Sequence, residues 1–201
     1  MPSDTYLTIE VLADPGIFKD RKSKFLSYVF PFQNIDDLKP IIEGLKKEHH
    51  NARHWCYAYR LGITKYEERA NDDGEPSNSA GNPILGQIKA KKLTNVLVVV
   101  VRYFGGVKLG VGGLMNAYKT AAQLVLEKAQ IVEKIRMKYL SVSFKYEDMN
   151  KVMRIIKAHK LQIHKQNLAA EGEIVLAIRL DDFDVIMQQF TQIHTLCVQA
   201  L

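Results

Sequence analysis

The feature that most constrains the fold is a run of six apolar residues, Val96 to Val101, followed shortly by five glycines within nine residues. Because the run is mostly β-branched and does not alternate with polar residues, it predicts a strand that is covered on both faces. The glycines allow positive φ and close approach of another group. A helical pattern comes next, with apolar residues at spacings of three and four: Leu114, Ala117, Tyr118, Ala121, Ala122, Val125 and Ala129.

This strand, glycine loop and helix together form a candidate anion site. Backbone N–H groups and the positive end of the helix dipole would face the loop, and Arg102 and Lys108 add full charges. Known phosphate motifs match poorly, because no G-x-x-x-x-G-K-[ST] is present and Gly110-x-Gly112 lacks a third glycine three residues on. A close-packed turn between buried elements is the alternative interpretation.

The composition is that of an ordinary globular protein, with 47% apolar and 25% charged residues among 201. The longest apolar run is far shorter than a membrane span, and the first residues resemble no signal peptide, so we expect a cytoplasmic protein with no membrane partner. Cys56 and Cys197 predict no disulfide framework.

The net charge of +6 permits binding to nucleic acid or the ribosome. The charge is also segregated. Residues 134–165 contain nine Lys or Arg against two acidic residues, whereas residues 166–201 contain one Arg against five acidic residues. Such a distribution orients a protein on a polyanion, or it is simply a solvated basic face.

Periodicity and turn signals predict an α+β chain. Strands are expected over 6–11, 23–32, 53–61 and 131–136, with helices from Asn34 or Asp36 to about His49 and from Pro83. Residues 68–83, ERANDDGEPSNSAGNP, predict a long loop. From residue 137 the pattern is β-α-β-β-α-β, with a turn at Ala170 to Gly172 and a helix capped by Asp181 or Asp182, which predicts a ferredoxin-like domain.

Three groups of residues offer candidate chemistry. Asp72, Asp73 and Glu75 either hold a hard cation that bridges to phosphate or cap turns. His50, His54 and Cys56 resemble a zinc cluster only superficially, since a fourth ligand is not evident, and Cys56 with His54 as its base is a weak nucleophile candidate. Basic and aromatic residues suited to nucleic acid occur around Arg102, Tyr103, Phe104 and Lys108, and again from Arg53 to Arg60.

Three linked segments make the chain recognisable: HWCYAYRLG, NDDGEPSNSAGNPILGQI and VLVVVVRYFGGVKLGVGGLMNAYKTAA. In order and spacing they resemble the signature of the IMPACT family, and the full layout is similar to its bacterial YigZ-like branch. The resemblance implies two domains. Residues 1–135 would have the α+β fold shared by a ribosomal small-subunit protein domain and domain IV of elongation factor G. Residues 136–201 would be ferredoxin-like and similar to domain V of that factor.

The resemblance also implies functional residues. The nucleic-acid or phosphate-binding set would be Arg102, Tyr103, Gly105, Gly106, Lys108, Gly110, Gly112 and Gly113. The motif loop would contribute His54, Asp72, Asp73, Gly74, Glu75 and Ser77, and Pro76, Gly81, Pro83 and Leu109 also match. The chain departs from the family pattern at Asn78, Asn82, Val111 and Asn116, and Asn82 and Asn116 replace two expected cations.

Eukaryotic members of the family regulate translation through protein partners. Bacterial relatives are inferred to bind nucleic acid or the ribosome. We therefore expect a translation-linked regulatory protein that binds RNA or the ribosome through the glycine-rich loop 104–113 and a basic surface, and a protein partner in translation control is a second expectation. No catalytic residue, metal or cofactor is expected. The alternative is an enzyme that acts on a phosphorylated small molecule or nucleotide, with a metal on the carboxylate loop. A protein-interaction module without a ligand pocket is the third hypothesis.

Overall fold

The computed structural model describes residues 4–168 and 171–201, and it shows the predicted α+β class. The chain divides into two compact units. Tyr6–Lys134 form one unit, and Ile135–Leu201 form the other together with Asp4 and Thr5. None of the helices in the described residues is long and apolar enough to cross a membrane.

The larger unit is built on a five-stranded antiparallel sheet. Its elements follow the order β1 (Thr5–Ile9), β2 (Gly16–Asp20), β3 (Ser23–Pro31), α1 (Leu38–Glu48), β4 (His54–Leu61), β5 (Glu67–Asn71), α2 (Gly81–Ala90), β6 (Val96–Tyr103), α3 (Gly110–Lys128) and β7 (Ile131–Ile135). The sheet has the order β2-β3-β6-β4-β5, and β1 pairs with β7 in a separate two-stranded sheet.

Strand β6 is the central strand, and its apolar run is covered on both faces as predicted. Val96, Val98 and Val100 pack in one core with side chains of α2 and α3. Leu97, Val99 and Val101 pack in a second core with Leu45 of α1. The predicted alternation of β4 is also confirmed, since Tyr57 and Tyr59 belong to the second core whereas Cys56 and Ala58 belong to the first.

Two local predictions are wrong, and one strand has no counterpart among the predicted elements. The expected loop over 68–83 begins with β5, which pairs with β4 at the edge of the sheet. Its polar sequence EERAN lacks apolar alternation because an edge strand is exposed to water. Strand β2 was not predicted at all. Helix α3 begins at Gly110, so Gly110, Gly112 and Gly113 lie in its first turns and the exposed loop is limited to residues 104–109.

The smaller unit contains β8 (Met137–Lys145), α4 (Met149–Ala158), β9 (Gln162–Leu168), β10 (Glu171–Arg179), α5 (Phe183–Thr191) and β11 (Cys197–Ala200). Its antiparallel sheet has the order β11-β8-β10-β9. The element order is thus the predicted β-α-β-β-α-β, and likeness to elongation factor G stays a prediction. In the predicted turn, Glu171 and Gly172 belong to β10 whereas Ala170 lies outside the described residues, and Asp182 stands at the N-cap of α5 without a side-chain capping bond.

Candidate functional site

The motif loop, residues 71–80, is organised by the carboxylate of Asp72. Its Oδ1 accepts hydrogen bonds from the backbone N–H groups of Ala80 (2.9 Å) and Gly81 (2.8 Å), and its Oδ2 accepts one from Asn78 (2.8 Å). Two of these donors lie at the start of α2, where backbone N–H groups have no partner within the helix. Asp72 therefore caps α2 and fixes the loop, which is the turn-capping alternative raised from the sequence.

Asp73 joins the same loop to strand β4. Its Oδ2 accepts a hydrogen bond from the backbone N–H of Trp55 at 2.7 Å, and its carbonyl oxygen lies 2.9 Å from Nδ1 of His54. Gly74 follows with a φ of +83°, close to the His54 ring. His54 is therefore oriented by the loop backbone, and Ser77 remains exposed at the loop surface.

Glu75 forms the buried centre of the site. Its Oε1 lies 2.6 Å from Nη1 of Arg102 and accepts a hydrogen bond from the hydroxyl of Tyr118 at 2.7 Å. The side chains of Arg102 and Glu75 are only 5% and 4% exposed. His54 Nε2 lies 3.9 Å from the same carboxylate oxygen. Arg102, predicted as a phosphate ligand, is thus placed in a buried ion pair that links β6 to the motif loop.

Cys56 lies against this buried network. Its Sγ is 3.0 Å from the carbonyl oxygen of Asp72 and 3.3 Å from the hydroxyl of Tyr118. Burial raises the pKa of the Cys56 thiol, and the hydrogen bond with Tyr118 opposes only part of that increase. Burial likewise raises the pKa of Tyr118, and Cys56 and Glu75 act in the same direction. A neutral, enclosed thiol is a poor nucleophile.

The glycine loop, residues 104–109, is packed tightly at one end and open at the other. A Cβ on Gly105 would lie 2.0 Å from the carbonyl carbon of Lys22, and the N–H of Gly105 donates to Ser23 Oγ at 3.2 Å. A Cβ on Gly106 would meet nothing within 4 Å. The loop is thereby anchored to the turn between β2 and β3 while its tip points away from neighbouring atoms.

The open part of the glycine loop carries basic and aromatic side chains. Lys108 is exposed immediately before α3, so the positive end of the helix dipole follows it. Phe104 is 38% exposed, and the exposed Arg53 guanidinium lies over its ring at 5.8 Å. Lys22 and Arg21 are exposed in the adjoining turn. The basic loop surface consists of these five exposed residues: Arg21, Lys22, Arg53, Phe104 and Lys108.

Tyr103, also a predicted site residue, is placed in a different environment. Its hydroxyl lies 3.0 Å from Nδ1 of His49, whose Nε2 is 2.6 Å from the hydroxyl of Tyr28. Burial, together with Glu48 and Tyr103, raises the pKa of Tyr28 to about 12. Tyr103 packs against the core on the α1 side of the sheet, so it supports β6 there.

Each carboxylate of the motif loop accepts hydrogen bonds from different groups of the protein. Within residues 4–168 and 171–201, no three His, Cys, Asp or Glu side chains are arranged to hold a metal ion. The zinc interpretation of His50, His54 and Cys56 and the carboxylate-held metal of the enzyme hypothesis therefore have no supporting geometry in these residues.

The motif loop and the glycine loop lie within one stretch of matched family sequence. The model of the Impact N-terminal domain matches residues 21–126. The chain belongs to the IMPACT family. It is 36% identical over 148 residues to the IMPACT family member YvyE of Bacillus subtilis, covering 74% of this chain and 68% of that protein. It is 29% identical over 138 residues to the IMPACT family member YigZ of Escherichia coli, covering 68% of each.

The fold of this IMPACT family chain also matches a solved structure. A crystal structure of a hypothetical protein aligns with 98% of the chain and 97% of its own length, with a TM-score of 0.72 and 23% sequence identity. That similarity shows a shared fold.

Two residues that build the site are not predicted from the sequence. In the sequence Tyr118 belongs only to the apolar stripe of α3, yet its hydroxyl donates a hydrogen bond to Glu75. Ser23 was placed only within a strand, although its Oγ binds Gly105 and lies 3.4 Å from Nη2 of Arg102. A tyrosine within a helical apolar stripe was the available signal for the first, since a buried hydroxyl needs a partner. No local pattern identifies the second.

Proposed function

We propose that the protein is a non-enzymatic, translation-linked binding protein that contacts RNA or the ribosome through the basic loop surface. The observation that carries the proposal is the exposed position of Lys108 on a loop whose neighbours Arg53 and Phe104 are also exposed. Cations paired with flat rings bind phosphates and stack on unpaired bases. The translation link rests on the resemblance to the IMPACT family described above.

The buried network has a supporting role in this proposal. Arg102 already neutralises Glu75, so its charge serves the junction between the two loops and leaves phosphate contact to the exposed cations. The glycines contribute in two ways: Gly105 allows the close contact with Lys22, and Gly106 and Gly110 adopt positive φ. Backbone N–H groups at the start of α3 would add to the attraction for phosphate.

The basic residues of 134–165 extend the proposal to the smaller unit. Lys145, Arg154, Lys157 and Lys165 are exposed there, and Lys151 forms an ion pair with Asp148 at 2.6 Å. These charges would supply nonspecific attraction that weakens with salt. The basic loop surface is also suited to bind a protein partner in translation control.

A filter-binding titration of structured RNA over a salt series tests the proposal. The double variant Arg53→Glu, Lys108→Glu should bind more weakly and show a salt slope that is smaller by about 2. The matched control is Lys39→Glu, an exposed lysine on α1, which should bind as the unmodified protein does. No RNA binding at low salt, or equal binding by the double variant, would refute the proposal.

A further inference from the structure

A cleft of about 550 Å³ lies between α2 and α3, beside the motif loop. One wall carries Asn78, Asn82 and Gln87, and the other carries Met115, Asn116 and Lys119. Gly86 also lines the cleft, and a Cβ placed on it would meet nothing within 4 Å. The residues that line the cleft include four with side-chain amides, one lysine and no acidic residue.

Part of this amide set is held in place by the motif loop. The backbone N–H of Asn78 donates to Asp72 Oδ2 at 2.8 Å, and Asn78 Oδ1 accepts from Asn82 Nδ2 at 2.5 Å. Within the described part of the chain, Asn82 Oδ1 accepts no hydrogen bond, and the amides of Gln87 and Asn116 bond to no other side chain or backbone group. The cleft therefore presents amide donors and acceptors that are left for a ligand.

These groups favour a flat, uncharged, polar ligand. Phosphate recognition relies on cations and backbone N–H groups, whereas asparagine and glutamine amides match the donor and acceptor pairs on base edges, those of adenine above all. Met115, 45% exposed, and Pro83 supply apolar surface for the face of a ring. We infer that the cleft between α2 and α3 binds a single unstacked nucleobase of the RNA whose phosphates contact the basic loop surface.

The inference rests on the proposed function and adds a base site to it. Helix α3 connects the two places, since it begins at Gly110, directly after the glycine loop, and carries Asn116. Six residues of helix span roughly 9 Å, which two to three stacked nucleotides at about 3.4 Å each also cover. One strand of RNA can therefore reach the cleft and the basic loop surface together.

Fluorescence anisotropy with two labelled probes tests the inference. The probes are an adenosine decamer and an abasic decamer of equal length and charge, both measured at one salt concentration. The decamer with bases should bind about tenfold more tightly, because one bidentate amide contact to a base edge is typically worth that much. In a Phe104→Ala background, which removes stacking on the basic loop surface, Gly86→Leu, which fills the cleft, and the double variant Asn82→Ala, Asn116→Ala should each reduce this ratio to about one and leave abasic affinity unchanged.

Matched controls separate this inference from the proposed function. Asn51→Ala, at an exposed asparagine in the turn before β4, should keep the tenfold ratio. Lys108→Glu should weaken binding of both probes equally. If Lys108→Glu weakens neither probe, the proposed function fails. Suppose instead that Lys108→Glu weakens binding of both probes. The base site alone is then refuted if the two probes bind the unmodified protein equally, or if the cleft variants keep the tenfold ratio. A third outcome would also overturn the inference. If an unstructured glycine–serine peptide binds the protein, and Gly86→Leu abolishes that binding without changing the ratio of the two RNA affinities, the cleft binds polypeptide.

Discussion

The motif loop and the glycine loop belong to the same family signature, yet they use their charged residues in opposite ways. In the motif loop, the Asp72, Asp73 and Glu75 carboxylates all accept hydrogen bonds from the protein itself. In the glycine loop, Lys108 and Phe104 are both exposed to solvent. Residues that share a signature therefore divide into a structural set, which positions the loops, and an exposed set, which is available to a partner.

The largest expected effect on stability contrasts the loss of a buried ion pair with the loss of an exposed one. Glu75→Ala should lower the free energy of unfolding by about 3–5 kcal/mol, because it leaves the Arg102 charge buried and unpaired. Glu43→Ala removes an exposed partner of Lys39 on α1 and should cost about 0.5 kcal/mol or less. Urea denaturation measures both. Equal, small losses would show that the motif-loop carboxylate is not structural.

The next effect contrasts two glycines of the signature. Gly105→Ala places a Cβ against the Lys22 backbone and should destabilise the protein by about 1–3 kcal/mol through overpacking. Gly112→Ala, in the first turns of α3 with open space around the Cβ, should stabilise it by about 0.5–1 kcal/mol. Thermal melting of the two variants gives the signs, and shifts in the same direction would contradict the described packing.

A third effect concerns the loop cap. Asp72→Ala leaves three backbone N–H groups without their acceptor and should cost about 1–3 kcal/mol. Its control is Asp37→Ala, since Asp37 stands at the N-cap of α1 without a side-chain capping bond. That variant should stay within about 0.5 kcal/mol of the unmodified protein. Chemical denaturation distinguishes them, and a control as damaging as Asp72→Ala would remove the basis for the assigned cap.

The smallest expected effect depends on pH. Because burial raises the pKa of the Cys56 thiol, the folded protein retains a proton that the unfolded chain loses above about pH 8.5. The associated stability is complete below that pH and decreases as pH rises, by at most about 1.4 kcal/mol per unit. Between pH 8.5 and 9.5, the free energy of unfolding of Cys56→Ala should therefore decrease less than that of the unmodified protein.

Thiol modification tests the same burial directly. In the native protein, a thiol reagent should modify the exposed Cys197 before Cys56, and the reverse order would contradict the burial.

Much of the fold follows from local sequence, because apolar periodicity identifies β6, the alternating faces of β4 and the β-α-β-β-α-β order of the smaller unit. Strand β5 was missed because edge strands do not need apolar alternation. The start of α3 is not predicted because glycines normally disfavour helix, and the helix nevertheless includes Gly110, Gly112 and Gly113.

The site was predictable only in part. The family signature selects the correct segments, but sequence does not tell which charges are paired. Arg102 and Tyr118 follow Glu75 in the sequence by 27 and 43 residues, and the fold brings the three side chains together. Exposure of Lys108 and burial of Arg102 are likewise consequences of tertiary structure rather than of residue type.

The central claim is that the structural and exposed sets are separable. RNA affinity of Tyr118→Phe and Lys108→Glu, measured at equal folded fraction, tests it most directly. Tyr118→Phe removes one hydrogen bond to Glu75 and should cost about 1–2 kcal/mol of stability, with RNA affinity unchanged. Lys108→Glu should weaken RNA binding and reduce the salt slope by about 1, with stability unchanged. Full RNA affinity in Lys108→Glu, or loss of RNA binding in folded Tyr118→Phe, would contradict the account.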